Sequence, residues 1–160
     1  VRNLDSKGKR IPIELAMGFH TDAGQTIKDS VIGTMCIYMS ESEGKRNFQN
    51  EQRRIASRDM ADIVQSQIIS DITTLYRDNW TRRKLTDQSY FEARVPEVPT
   101  FLLELLSHQN FTDMKYGLDP NFRFHVSRAI YKGLLKFLAS QHNEEYVAHP
   151  PPITAVSAEL

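Results

Sequence analysis

A single cysteine, Cys36, stands among the 160 residues. One thiol excludes an internal disulfide and any metal site built from cysteines alone, and it leaves the compartment open. An excess of either charge is also missing. Lys+Arg and Asp+Glu both number 20, so the formal net charge is zero. That balance gives no support to nucleic acid or an anionic membrane surface as a partner. No apolar run approaches the roughly 20 residues of a membrane-spanning helix, and neither an internal repeat nor a low-complexity segment is visible. The first residue is Val, with no signal peptide before it, so the chain is expected to be a piece of a longer polypeptide.

What is present fits an ordered globular domain. Hydrophobic residues make up 40% and charged residues 25%, enough for one real core. The opening "VRNLDSKGKR" is polar and reads as a loop or hairpin arm. Leu15 to Phe19 fit a short buried strand ending at His20, followed by turn chemistry in "TDAGQTIKDS". Val31 to Met39 are β-branched and aromatic enough for a second strand, and "SESEGKRNFQNE" reads as a charged surface loop.

From about Glu51 to Tyr76 the period changes. Ile55, Met60, Ile63, Val64, Ile68, Ile72 and Leu75 recur at three- and four-residue spacing, which predicts an amphipathic helix. A polar section, "RDNWTRRKLTDQS", leads through "YFEAR" and "VPEVP" to the strand "TFLLELLS". Asp119-Pro120-Asn121 then offers a helix start, and Phe122, Val126, Ala129, Ile130, Leu134 and Phe137 carry the apolar face of a second helix. Strands alternating with helices predict an α/β fold: a mixed, largely parallel central sheet with helices packed on its faces. Residues 1–142 read as that domain. Residues 143–160 differ in kind: three consecutive prolines are stiff and extended, and "ITAVSAEL" alternates like the first strand of a fibronectin-type or similar β-sandwich.

Two residues stand out chemically. Glu104 lies in the middle of "TFLLELLS", where leucines flank it on both sides. A strand of this kind is buried on both faces in parallel sheets, and an ionised carboxylate there is costly unless a cation or donors meet it. A water-facing edge strand or a structural ion pair with an arginine would explain it as well. His20 ends an apolar run and opens a turn, the place where open α/β sheets carry ligand sites. It suits a metal ligand or an acid–base group, and equally a capping histidine.

Taken together, "MGFHTDAG", "VPTFLLELLSHQN" and "FTDMKYGLDPNFRFHVSRAIYKGLLKFLA" resemble three motifs of the zinc-dependent N-acetylmuramoyl-L-alanine amidases, in order and spacing from about Ala16 to Ala139. The resemblance implies a catalytic zinc and hydrolysis of the amide that joins muramic acid to L-alanine in bacterial peptidoglycan. His20 matches a zinc ligand of that family, Glu104 its catalytic glutamate, and Arg94 in "YFEAR" a place where it often has an arginine, here assigned to substrate binding or a structural ion pair. An extracytoplasmic location and a peptidoglycan or muropeptide partner follow from the same resemblance.

The match departs in the loop "SHQN", in the Asp of the turn "HTDAG" and, above all, in its metal ligands. The family's other two zinc ligands, a His and a Glu, precede the position of His20. Here only 19 residues do, none of them His, and Glu14 sits inside the same strand as His20. The upstream part of the domain is therefore expected to be missing, with Asp22 and His108 as weaker substitutes. His125, His142 and His149 read as surface residues. "WTRRK", Trp80 to Lys84, reads as a sugar- or anionic-peptide-binding cluster or a solvated helix end. A metal-free glycan- or peptide-binding module of the same fold, or a zinc hydrolase acting on another amide or polysaccharide-linked substrate, stays open beside the amidase.

Overall fold

The computed structural model describes residues 8–9, 12–23, 30–76 and 79–148. Four strands and four helices follow in the order β1 (Ala16–Asp22), β2 (Thr34–Tyr38), α1 (Ala56–Tyr76), β3 (Arg82–Asp87), α2 (Phe91–Arg94), β4 (Thr100–Ser107), α3 (Phe111–Leu118) and α4 (Pro120–His142). The sheet order is β1-β4-β2-β3. β1 pairs with β4 and β2 with β3 in parallel, whereas β2 and β4 run antiparallel. The expected mixed, largely parallel sheet is thus observed.

β4 is buried along its whole length because it lies between two strands and two layers. Phe101, Leu103 and Leu105 share one cluster with Cys36 of β2, with Met60, Val64, Ile68 and Ile72 of α1, and with Phe122, Val126, Ala129, Ile130 and Phe137 of α4. Each fully buried Val, Leu, Ile, Phe or Met side chain among them contributes roughly 1.5–3 kcal/mol relative to exposure. The intervening residues Leu102 and Glu104 belong to the other face, where α2 approaches. A Cβ on Gly18 would stand 2.7 Å from Leu102 Cδ1 and 3.4 Å from Glu92 Cβ, so a larger residue there would have to displace the Leu102 side chain beneath α2.

Helix starts follow their caps. Asn110 caps α3 by accepting the Asp113 N–H at 2.8 Å. Asp119 caps α4 by accepting the Asn121 N–H at 2.9 Å, with Pro120 in the first turn, as the sequence predicts. The buried Asp113 carboxylate accepts from Ile32 N–H (2.8 Å), Gly33 N–H (3.4 Å) and Ser107 N–H (2.8 Å), tying the start of β2 to the end of β4.

Several expectations are corrected. The polar section after α1 contains β3, which pairs with β2. Trp80 is neither on a solvated helix end nor available to stack on a sugar. It is 3% exposed, and its indole N–H donates to Thr34 Oγ1 at 2.8 Å. His125 is not a surface residue: it is half-buried, with Nδ1 3.0 Å from the Tyr76 hydroxyl. The helix expected from about Glu51 starts at Ala56, because residues 42–53 are tied by the bridges Ser42–Lys45 and Asn47–Arg53. The proline-rich tail and His149 lie outside the described residues.

Candidate active site

The cross-strand register of β1 and β4 brings the two singled-out residues together. His20 pairs with Glu104, near the carboxyl ends of both strands. In-register neighbours project to the same face, so the imidazole and the carboxyl share one patch of sheet. Beyond them the register shifts, and Asp22 stands opposite Ser107.

Glu104 is 9% exposed, and its Oε2 has no hydrogen-bond partner among the described residues. Burial raises its pKa above the ordinary carboxylate value. The neighbouring Asp22 charge pushes the same way, while His20, Arg83 and His108 oppose the rise. A buried carboxyl with one oxygen unsatisfied is an expensive group to keep for structure alone.

The surrounding groups come from four elements. Glu92, on α2, places Oε1 3.3 Å from His20 Nε2 and so orients the imidazole. Arg83 reaches over from the far edge strand β3, its Nη1 donating to Asp22 Oδ2 at 2.7 Å, with both side chains largely buried. His108, just past β4, holds Nδ1 3.0 Å from Thr21 Oγ1 and 3.2 Å from the Thr21 carbonyl, while its backbone N–H donates to the Asp22 carbonyl at 3.1 Å. Arg94 ends α2, exposed, and its guanidinium has no ion pair or hydrogen bond among the described residues.

Sequence reasoning singled out His20 and Glu104, which the register brings together, and held Arg83 only as part of the cluster "WTRRK"; it did not single out Glu92. Arg83 had a signal: alternation in "RRKLTD" sends Arg82 to Asp62 of α1 and Arg83 to the opposite face. Glu92 had none, since its role depends on how closely α2 packs on Gly18. Asp22 and His108, the substitute ligands, are engaged by Arg83 and Thr21.

A zinc site needs three protein ligands around an open position. Among the described residues no group of three or more His, Cys, Asp or Glu stands close enough to hold a metal. The orphan Oε2 of Glu104 and the adjacent His20 suit the chemistry, but the described residues do not by themselves build the zinc site that the resemblance implies.

No protein-family model and no curated protein sequence matches the chain. Solved structures do. The N-acetylmuramoyl-L-alanine amidase of Clostridium difficile 630 is similar at a TM-score of 0.64 and 16% identity, over 80% of this chain and 59% of that one. The AmiC2 amidase of Nostoc punctiforme matches at 0.60 and 17% identity, over 78% of this chain and 57% of its own. An N-acetylmuramyl-L-alanine amidase of Mycobacterium smegmatis matches at 0.60 and 20% identity, over 80% and 55%. The chain thus spans less than three-fifths of the length of these relatives. Within that span, the strands and helices described above have the fold of the N-acetylmuramoyl-L-alanine amidases.

Proposed function

We infer that this chain belongs to an amide hydrolase of bacterial peptidoglycan, acting outside the cytoplasm, with Glu104 as its acid–base group. One observation carries the reading: His20 and Glu104, far apart in sequence, are register partners at the carboxyl ends of parallel strands, in a fold shared with muramoyl-alanine amidases. A carboxyl held above its ordinary pKa is divided between both protonation states closer to neutral pH than a solvated one. Its ionised form takes a proton from the attacking water, and its neutral form returns one to the departing amine. Glu92 holds the imidazole of His20 beside it. Arg94, exposed at the end of α2, is assigned to substrate binding on the resemblance alone.

Zinc is the cofactor this reading implies, with His20 as one ligand. Because the described residues do not complete the set, a second reading has a specific basis: a module of the same fold that binds peptidoglycan peptide or glycan without cleaving it. Hydrolysis of purified muropeptides, followed by chromatography of the released peptide, separates the two. The hydrolase reading expects release by the wild-type chain and a loss of at least about a hundredfold in Glu104→Gln, in the range that general acid–base catalysis supplies. Wild-type turnover in that variant would remove Glu104 from the mechanism.

A further inference from the structure

The cluster "WTRRK" is explained only in part by the fold: Trp80 is core and Arg82 is paired with Asp62 on α1. Arg83 is left over, and its placement is unusual. It belongs to the edge strand β3, yet its side chain crosses the face of the sheet to Asp22 at the end of β1, on the opposite edge. In doing so it arrives next to Glu104. A guanidinium carries five N–H donors in a planar fork suited to carboxylates. Here one nitrogen, Nη1, is engaged, and Nε and Nη2 have no hydrogen-bond partner among the described residues.

The charges around it point the same way. Glu104, Glu92 and Asp22 are acidic, His20 and His108 are imidazoles, and among the described residues Arg83 is the permanently charged cation that acts on Glu104 and Asp22. A neutral carbonyl could accept a hydrogen bond from the fork, but only a carboxylate adds opposite charge and a two-pronged match. An anionic ligand could satisfy its vacant donors, and would be repelled by the three carboxyl groups if Arg83 were removed. Asp22 then acts as an internal placeholder, keeping the side chain extended until a second carboxylate arrives.

We propose that Arg83 is a substrate-binding residue of this site, gripping a free carboxylate of the peptide, so that the substrate class is an anionic peptide amide rather than a neutral one. This rests on the peptidoglycan reading above and adds to it which part of the substrate is recognised.

Two probes differing in one group test it. One is an N-acetylmuramoyl dipeptide with a free carboxylate on its second residue; the other is the same molecule with that carboxylate converted to an amide. Each is titrated calorimetrically into the full chain carrying Glu104→Gln, which prevents turnover. The carboxylate form is expected to bind about tenfold or more tighter, the scale of one charge-assisted hydrogen-bond pair. Adding Arg83→Gln should erase the difference, leaving both forms alike. Arg83→Lys, which keeps the charge and loses the fork, should retain part of it, and this variant decides the matter if Arg83→Gln does not fold.

Asp22→Asn separates recognition from mere support of the fold. A structural bridge predicts weaker binding when Asp22 is neutralised, whereas a placeholder predicts a larger preference for the carboxylate form. Equal binding of the two probes by the parent chain overturns the role of Arg83 and leaves the peptidoglycan reading standing. Failure of both probes to bind overturns both. Preference that survives Arg83→Gln assigns the carboxylate to another residue.

Discussion

At the scale of single residues, Glu104 was legible because it breaks a chemical rule. Seven apolar or small residues surround it in "TFLLELLS", and the structure keeps it buried with an oxygen unpaired. The same feature predicts a stability effect opposite to that of most core substitutions. Its pKa is raised in the folded state, so folding favours the protonated form. Stability linked to this group is therefore fully present at pH below the unfolded carboxyl value and is lost as pH rises through the folded value. Glu104→Gln, neutral at every pH, should be more stable than wild type at neutral pH, on the order of 1 kcal/mol. Thermal melts at pH 7 and pH 4 check this, with the gap closing at the acid end. Glu92 and Arg83 were less legible because their contacts with His20 and Asp22 cross between elements, and no local pattern announces a partner that far away.

Whole elements were readable in proportion to their length and apolar period. β4, α1 and α4 are long, strongly patterned segments, and they appear close to where the pattern puts them. β3 was lost because "RRKLTD" is charged and short. As an edge strand it needs little apolar surface, and its outward charges discourage further pairing. α2 spans only four residues and α3 only eight, too few for a helical period to declare itself. The packing of α1 against α4 yields a prediction that propensity alone would reverse. Gly133 on α4 faces Val64 so closely that an added Cβ would stand 2.7 Å from the Val64 Cα. Alanine is the better helix former by about 1 kcal/mol, yet backbone cannot yield as a flexible side chain does. Gly133→Ala should therefore lower stability, by about 1–3 kcal/mol on the scale of overpacked cores. Urea denaturation gives the measurement, and an unchanged or raised midpoint would mean that the two helices separate freely.

At the scale of the whole molecule, the sequence conveyed the α/β architecture and the meeting of His20 with Glu104. Closure of a metal site was beyond it, since that depends on groups converging from several segments. The described residues bring together one imidazole and one carboxyl where zinc chemistry would need a fuller set. Metal analysis of the purified chain addresses this directly. Stoichiometric zinc that disappears in His20→Ala would mean that the polypeptide completes a site around His20. A metal-free wild type would favour the binding-module reading, or a site completed by a longer parent chain. The proposed β-sandwich start at residues 143–160 belongs to the same scale, and limited proteolysis around the prolines is its natural probe.

The position of β4 has a consequence in time as well as in space. Among the described residues it is the last strand in sequence and an inner strand of the sheet, and the one that joins β1 to β2. Until it is made, β1 has no described strand beside it, and β2 and β3 form only a two-stranded pair covered by α1, with one edge of β2 unpaired. Assembly must therefore wait for contacts of large sequence separation, the condition associated with slow folding and exposed intermediates. A polypeptide ending at Pro99 should lack cooperative unfolding even though it contains three of the four strands and all of α1. A nascent chain on the ribosome should gain protease resistance only after β4, and the helices that cover it, have emerged.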